Sequence, residues 1–170
     1  GIDTEDALAM PGVIAIYTAA DLGLQPVPSD FNPTVARGML AIDKVRFVGE
    51  PVAVIISEER AQGEDAAEAV IVDYDVLPAL VDMEEAMTSS TLLYDTAGSN
   101  VAFDTMILGI PDNTGDAYFE GCEVVVKARV LNQRVAPCPL EVRGAAVAWG
   151  PDGRLHQWLS TQGAQGAKDT

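Results

Sequence analysis

The sequence predicts an α+β fold, and three observations predict it. Residues 44–82 read as strand, turn, strand, helix, strand. Ahead of them, an Ala7-Leu8-Ala9-Met10 helix is stopped by Pro11-Gly12 and followed at once by an apolar strand. Behind them, a second β region begins near Gly115 and closes in a hairpin turned on Gly150-Pro151-Asp152-Gly153. Apolar residues recur with period 2 in some segments and with helical spacing in others.

In chain order, Asp3 or Thr4 caps the first helix, which Pro11-Gly12 ends. Val13-Ile14-Ala15-Ile16-Tyr17 is a strand, and Thr18 caps a short helical turn, 19–22, closed by Gly23. Pro26, Pro28 and Pro33 make 25–37 an irregular loop. In the central unit, Val45 and Phe47 alternate with Lys44 and Arg46, the pattern of a half-buried strand. Gly49-Glu50-Pro51 turns the chain, and Val52-Ala53-Val54-Ile55-Ile56 has the continuous apolar character of a strand covered on both faces. Ser57 is placed to cap the next helix, whose Ala66, Ala67 and Val70 share a face. Gly63 weakens that helix by about 1 kcal/mol relative to Ala. Ile71-Val72-Asp73-Tyr74 returns as a strand and Pro78 closes the unit.

Asp82-Met83-Glu84-Glu85-Ala86-Met87 is a brief helix, and 94–115 is a polar, turn-rich linker. Val124, Val126, Ala128 and Val130 alternate as a strand; Pro137 and Pro139 make 134–143 an edge or loop. Gly144-Ala145-Ala146-Val147-Ala148-Trp149 and residues 155–160 are the two arms of the hairpin. The Gly/Ala-rich tail 161–170 and the abrupt start, on a helix cap with no leading strand, read as marks of a fragment.

The composition narrows the function classes. With 170 residues, 48% of them hydrophobic, the chain supports one or two domains with a core. A formal net charge of −16 would repel phosphate backbones and anionic lipid, which argues against nucleic-acid and membrane partners. Cys122 and Cys138 form no C-x-x-C pair and hold neither zinc nor an iron–sulfur cluster alone. Few cysteines and no secretory signal fit a cytoplasmic location.

Collinear motifs carry a resemblance. Residues 9–22, AMPGVIAIYTAADL, with Val45-Arg46-Phe47-Val48-Gly49-Glu50-Pro51-Val52-Ala53, the Glu64-Asp65-Ala66-Ala67-Glu68 helix and Asp73-Tyr74-Asp75-Val76-Leu77-Pro78-Ala79, resemble the molybdenum hydroxylase large subunit. That is the family of xanthine dehydrogenase, aldehyde oxidase and aerobic carbon monoxide dehydrogenase. Residues 133–144, QRVAPCPLEVRG, and Asp152-Gly153-Arg154-Leu155 through Ser160-Thr161-Gln162 continue it. The resemblance implies an α/β hammerhead domain at 1–93, a linker at 94–115, and the first β-strands of a molybdopterin-binding domain at 116–170. It implies a full-length parent that binds molybdopterin with molybdenum, hydroxylates an aldehyde or N-heterocycle or oxidises carbon monoxide, and passes electrons through an iron–sulfur subunit to a flavin subunit. It places Gln162 beside the molybdenum. The family's Gly-Phe-Gly-Gly loop has no counterpart in this sequence, so the segment alone is expected to hold no cofactor and to be inactive.

On side-chain chemistry alone, Gln162 is a polar residue leaving a strand. Glu141 and Arg143, spaced i, i+2, are candidates for the substrate approach, against the plainer reading of an edge salt bridge. His156 has no nucleophile motif beside it, Cys138 reads as packing, and Glu50 as a turn carboxylate. No phosphate-loop pattern is present, and Glu58-Glu59 and Glu84-Glu85 make poor metal pairs. The alternative function is a stand-alone, non-catalytic interaction module with the hammerhead fold. The missing leading strand also predicts self-association through an open sheet edge.

Overall fold

A computed structural model describes residues 1–30, 32–103, 115–132, 135 and 138–169. They form two compact units, Gly1–Glu120 and Gly121–Thr170.

In the first unit, β1 (Ile2–Asp3), α1 (Glu5–Leu8), β2 (Val13–Thr18), β3 (Val27–Pro28), β4 (Ala36–Arg37), β5 (Ala53–Ser57), α2 (Arg60–Ala69), β6 (Ile71–Val72) and α3 (Met83–Thr88) follow in order. β2 and β5 are the main antiparallel pair, with Tyr17 opposite Val54 and a bulge between Val13 and Ala15. β1 pairs with β6 and β3 with β4, each over two residues. The core is small: α1 contacts α2, α2 lies on β5, and Ala7 and Ala66 are fully buried. Methyl side chains permit that close approach.

Local chemistry explains the joints. Pro11 disfavours helical geometry at Met10, so α1 stops, and Gly12 takes a left-handed φ of 79°. A Cβ on Gly12 would fall onto the Gln62 side-chain amide. Gln62 is occupied: its Oε1 accepts from the Glu59 N–H at 2.8 Å, one half of a capping box at the start of α2. The helix cap is therefore Glu59; Ser57 instead donates to the Glu59 carbonyl at 2.8 Å. Gly63 has a packing reason, since a Cβ there would press on the Ser57 hydroxyl. Along the inner face of α2, Ala66 is buried and Gly63 half-buried, with the half-buried Val70 just past its end, and Ala67 faces solvent. Asp82 caps α3 by accepting from the Glu84 and Glu85 N–H groups, both at 2.9 Å.

Several expectations are corrected. The front of the chain does carry a strand, β1, and the loop 25–37 contains the β3–β4 ladder. Residues 19–23 turn without forming a helix, and the Thr18 hydroxyl, rather than accepting as a cap, donates with its backbone N–H to Asp21. The apolar run after Pro51 is covered on one side only: Val54 and Ile56 are exposed. Residues 44–47 form no strand, and their alternation is inverted. Lys44 and Arg46 turn inward while Val45 and Phe47 face out, because the two cations find partners within the unit.

Of the predicted linker, residues 104–114 lie outside the described residues. Residues 94–103 bond back to the first unit: Thr96 Oγ1 donates to the Thr34 carbonyl at 2.9 Å, and Asn32 Nδ2 to the Ala102 carbonyl at 3.1 Å.

In the second unit, β7 (Ala145–Trp149) and β8 (Leu155–Leu159) form the expected hairpin, with Ala146 opposite Trp158 and Trp149 opposite Leu155. Gly150 N–H donates to the Arg154 carbonyl at 2.8 Å, and Gly153 takes a φ of 74°. At the open end, Ser160 N–H donates to the Gly144 carbonyl and Gly144 N–H to the Ser160 hydroxyl. Residues 124–130 are not a strand, since no partner strand pairs with them among the described residues. The tail is not featureless; α4 (Ala164–Asp169) closes the chain. In the predicted 134–143 loop, residues 134, 136 and 137 lie outside the described residues; the rest has no regular structure.

Candidate functional site

The candidate residues gather in the second unit, around the open end of the β7–β8 hairpin. Ser160 ties that end together: its hydroxyl donates to the Val142 carbonyl at 3.2 Å and accepts from Gly144. The chain then bends at Gln162, fixed by the Gly163 N–H donating to Thr161 Oγ1 at 3.2 Å, and enters α4. Gln162 is exposed, with an amide that offers both donor and acceptor.

Glu141 and Arg143 lie just before β7, both exposed, and no ion pair joins them among the described residues. Val142 between them is tied to Ser160, so the segment that carries them is anchored to the same seam that leads to Gln162.

His156 sits at the opposite, turn end. Its Nε2 lies 3.3 Å from Asp152 Oδ1, and its ring stacks on Trp158 with centroids 6.0 Å apart. Asp152 also accepts from the Arg154 N–H at 3.2 Å. This is a turn-stabilising cluster with no hydroxyl or thiol nucleophile among its contacts. Cys122 and Cys138 are both free and exposed, and Cys138 has a φ of 38°.

The first unit holds its own polar cluster, which the sequence reading did not foresee. Arg46 Nε donates to the Leu93 carbonyl at 3.1 Å and Nη1 to the Lys44 carbonyl at 3.0 Å, with the guanidinium over the Tyr94 ring at 4.9 Å. Glu50 Oε2 accepts from the Arg46 backbone N–H. Lys44 Nζ meets Asp95 Oδ2 at 2.8 Å. Asn100 accepts from the Leu93 N–H and donates to the Ala86 and Thr91 carbonyls. The available signal was the cation at every second position, 44 and 46, beside the Gly49 turn.

Among the described residues, two carboxyls are held below the ordinary carboxylate range. Asp21 is lowered by hydrogen bonds from the Thr18 N–H and hydroxyl, and Asp95 by the Lys44 ammonium. Both effects are structural. A shallow apolar cavity of about 290 Å³ is lined by Ser29, Val35, Ala102 and Phe103 and includes none of the candidate residues. Among the described residues, no group of three or more His, Cys, Asp or Glu side chains is placed to hold a metal.

Two family models match in succession. Residues 1–78 match the a/b hammerhead domain of aldehyde oxidase and xanthine dehydrogenase, and residues 93–170 match the molybdopterin cofactor-binding domain. The chain is 35% identical over 176 residues to the carbon monoxide dehydrogenase large chain of Hydrogenophaga pseudoflava, covering 95% of this chain and 22% of that one. It is 33% identical over 174 residues to the nicotine 6-hydroxylase large subunit of Paenarthrobacter nicotinovorans, with coverage of 95% and 20%. Among solved structures, a Cu,Mo-CO dehydrogenase aligns with a TM-score of 0.73 at 30% identity, over 99% of this chain and 23% of that one. Quinoline 2-oxidoreductase from Pseudomonas putida 86 aligns with a TM-score of 0.71 at 30% identity, over 95% and 21%. The chain thus spans about a fifth of the length of these relatives.

Proposed function

The chain belongs to the molybdenum hydroxylase family, and from that membership we propose that it works as the hammerhead region and first molybdopterin-domain segment of a large subunit. The observation that carries the reading is the order of the two matches, hammerhead first and cofactor-binding domain second, along one chain. The reaction proposed for the whole protein is oxidation of carbon monoxide, an aldehyde or an N-heterocycle, the substrate classes in its relatives' names. Proposed partners are an iron–sulfur subunit and a flavin subunit, or domains equivalent to them. No helix among the described residues is long and apolar enough to cross a membrane.

When bound, molybdopterin would supply the redox chemistry. The donor chemistry of this segment fits one contact with such a group. Gln162 is exposed, amide-bearing and held at a bend, and would offer a hydrogen bond beside the metal. One amide does not hold a cofactor, so the segment's main work is to scaffold. Ser160 fixes the seam from which Gln162 leaves β8 and on which Val142 is anchored. Glu141 and Arg143, exposed and not paired with each other, would meet polar groups of an approaching substrate.

The test is metal and pterin analysis of this chain beside the complete product of its gene, both made in a host that supplies the cofactor. Molybdenum and pterin in the complete protein support the reading. A complete, folded product that carries neither would overturn it in favour of a non-catalytic module.

A further inference from the structure

Residues 122–131 have the sequence of a strand but join no sheet among the described residues. In an extended chain, Val124, Val126, Ala128 and Val130 share one side, and Glu123, Val125, Lys127 and Arg129 the other. Val is among the best strand formers. Every residue of the segment is exposed. Its apolar side is bare, with Val124, Val126 and Val130 at 76%, 83% and 86% exposure. Such a segment offers a second chain both apolar side chains and a backbone on which to build a ladder.

We propose that residues 122–130 pair antiparallel with the same residues of a second copy of this chain, about a twofold axis at Val126. The segment is complementary to itself in that register. With Val126 opposite Val126, Val124 meets Ala128 of the second copy and Cys122 meets Val130, so the apolar sides coincide. On the other side, Glu123 meets Arg129 of the second copy, and the twofold axis repeats every pair. Arg129 already has an interaction within its own chain, and a guanidinium with five donors can add a carboxylate to it. Competing registers fail on named residues. A slip of one residue sets the valine side against the charged side. Centring on Val125 puts Val130 opposite Glu120, and centring on Lys127 puts two ammonium groups opposite each other. Local charge permits the contact: the chain carries −16 in all, but residues 121–170 hold six Lys and Arg against four Asp and Glu. This surface replaces the front edge as the route to self-association, because β1 stands there paired with β6.

Sedimentation of the 170-residue chain over a concentration series tests this, in about 0.15 M salt to screen its net charge. Reductant keeps the exposed Cys122 and Cys138 from bridging copies. A monomer–dimer equilibrium is expected. Glu123→Arg and Arg129→Glu should each raise the dissociation constant by on the order of tenfold, because each sets two like-charged pairs across the axis. The double variant, E123R with R129E, should restore the dimer to within about twofold. A chain still monomeric at about 1 mM would overturn the proposal. So would a dimer indifferent to both single reversals, which would place the contact on another surface. The substituted residues are exposed, and the concentration series on the unmodified chain needs no variant.

Discussion

Glu50 closes on Arg46 twice: one carboxylate oxygen accepts from the Arg46 backbone N–H, and the other lies 3.8 Å from its Nη1. With side-chain exposures of 5% and 15%, the pair is the most enclosed ion pair among the described residues. It sets the 46–50 turn, and Gly49 allows it by taking a φ of 91°.

Glu50→Ala should therefore cost about 1.5–3 kcal/mol, the range for hydrogen bonds to charged groups. Glu50→Gln should cost less, because its amide oxygen can still accept from the Arg46 N–H. Thermal unfolding of the two variants checks the order; equal losses would mean that charge alone matters.

Gly12 and Gly98 separate backbone strain from collision. Both have positive φ, 79° and 68°, so alanine at either costs about 1–2 kcal/mol through the left-handed backbone. Only at Gly12 would the added methyl also displace Gln62 and open the α2 capping box. Gly12→Ala is expected to lower the urea midpoint clearly more than Gly98→Ala, where nothing lies within 4 Å.

Acid sensitivity follows from Asp21 and Asp95. Their carboxyls sit below the ordinary value of 3.8 in the folded chain, so each contributes stability that is present above pH 3.8. That contribution is lost as pH falls below 3.8 through the lowered folded value. Denaturant unfolding across this window should show a shallower loss in Asp21→Asn and Asp95→Asn than in the unmodified chain.

Within the complete protein, Gln162→Ala is expected to leave pterin content unchanged and to lower kcat by about 10- to 100-fold, the size typical of a group that orients a metal centre. Metal analysis and steady-state kinetics read the two separately. Loss of the cofactor itself would show a holding role instead.

The legible parts of the fold were those decided by neighbours in sequence. The β7–β8 hairpin followed from Asp152-Gly153, and α3 from Asp82 ahead of a helical run. The misread parts were decided by distant residues. Lys44 and Arg46 face inward because Tyr94 and Asp95 lie across from them, roughly fifty positions away. Ser57 gave up the cap because the chain bends on to Glu59, whose box is completed by Gln62. At the candidate site, the bend at Gln162 and the Ser160 seam are local, but no pattern in the side chains marks Gln162. Only the family's collinear motifs single it out.

Trp149 and Trp158 are the chain's two tryptophans, and both stand exposed in the β7–β8 hairpin. Indole emission therefore reports on the β7–β8 hairpin. A red-shifted spectrum is expected from the free chain. Any polypeptide laid over the hairpin would move that spectrum to the blue, giving a label-free optical readout of coverage.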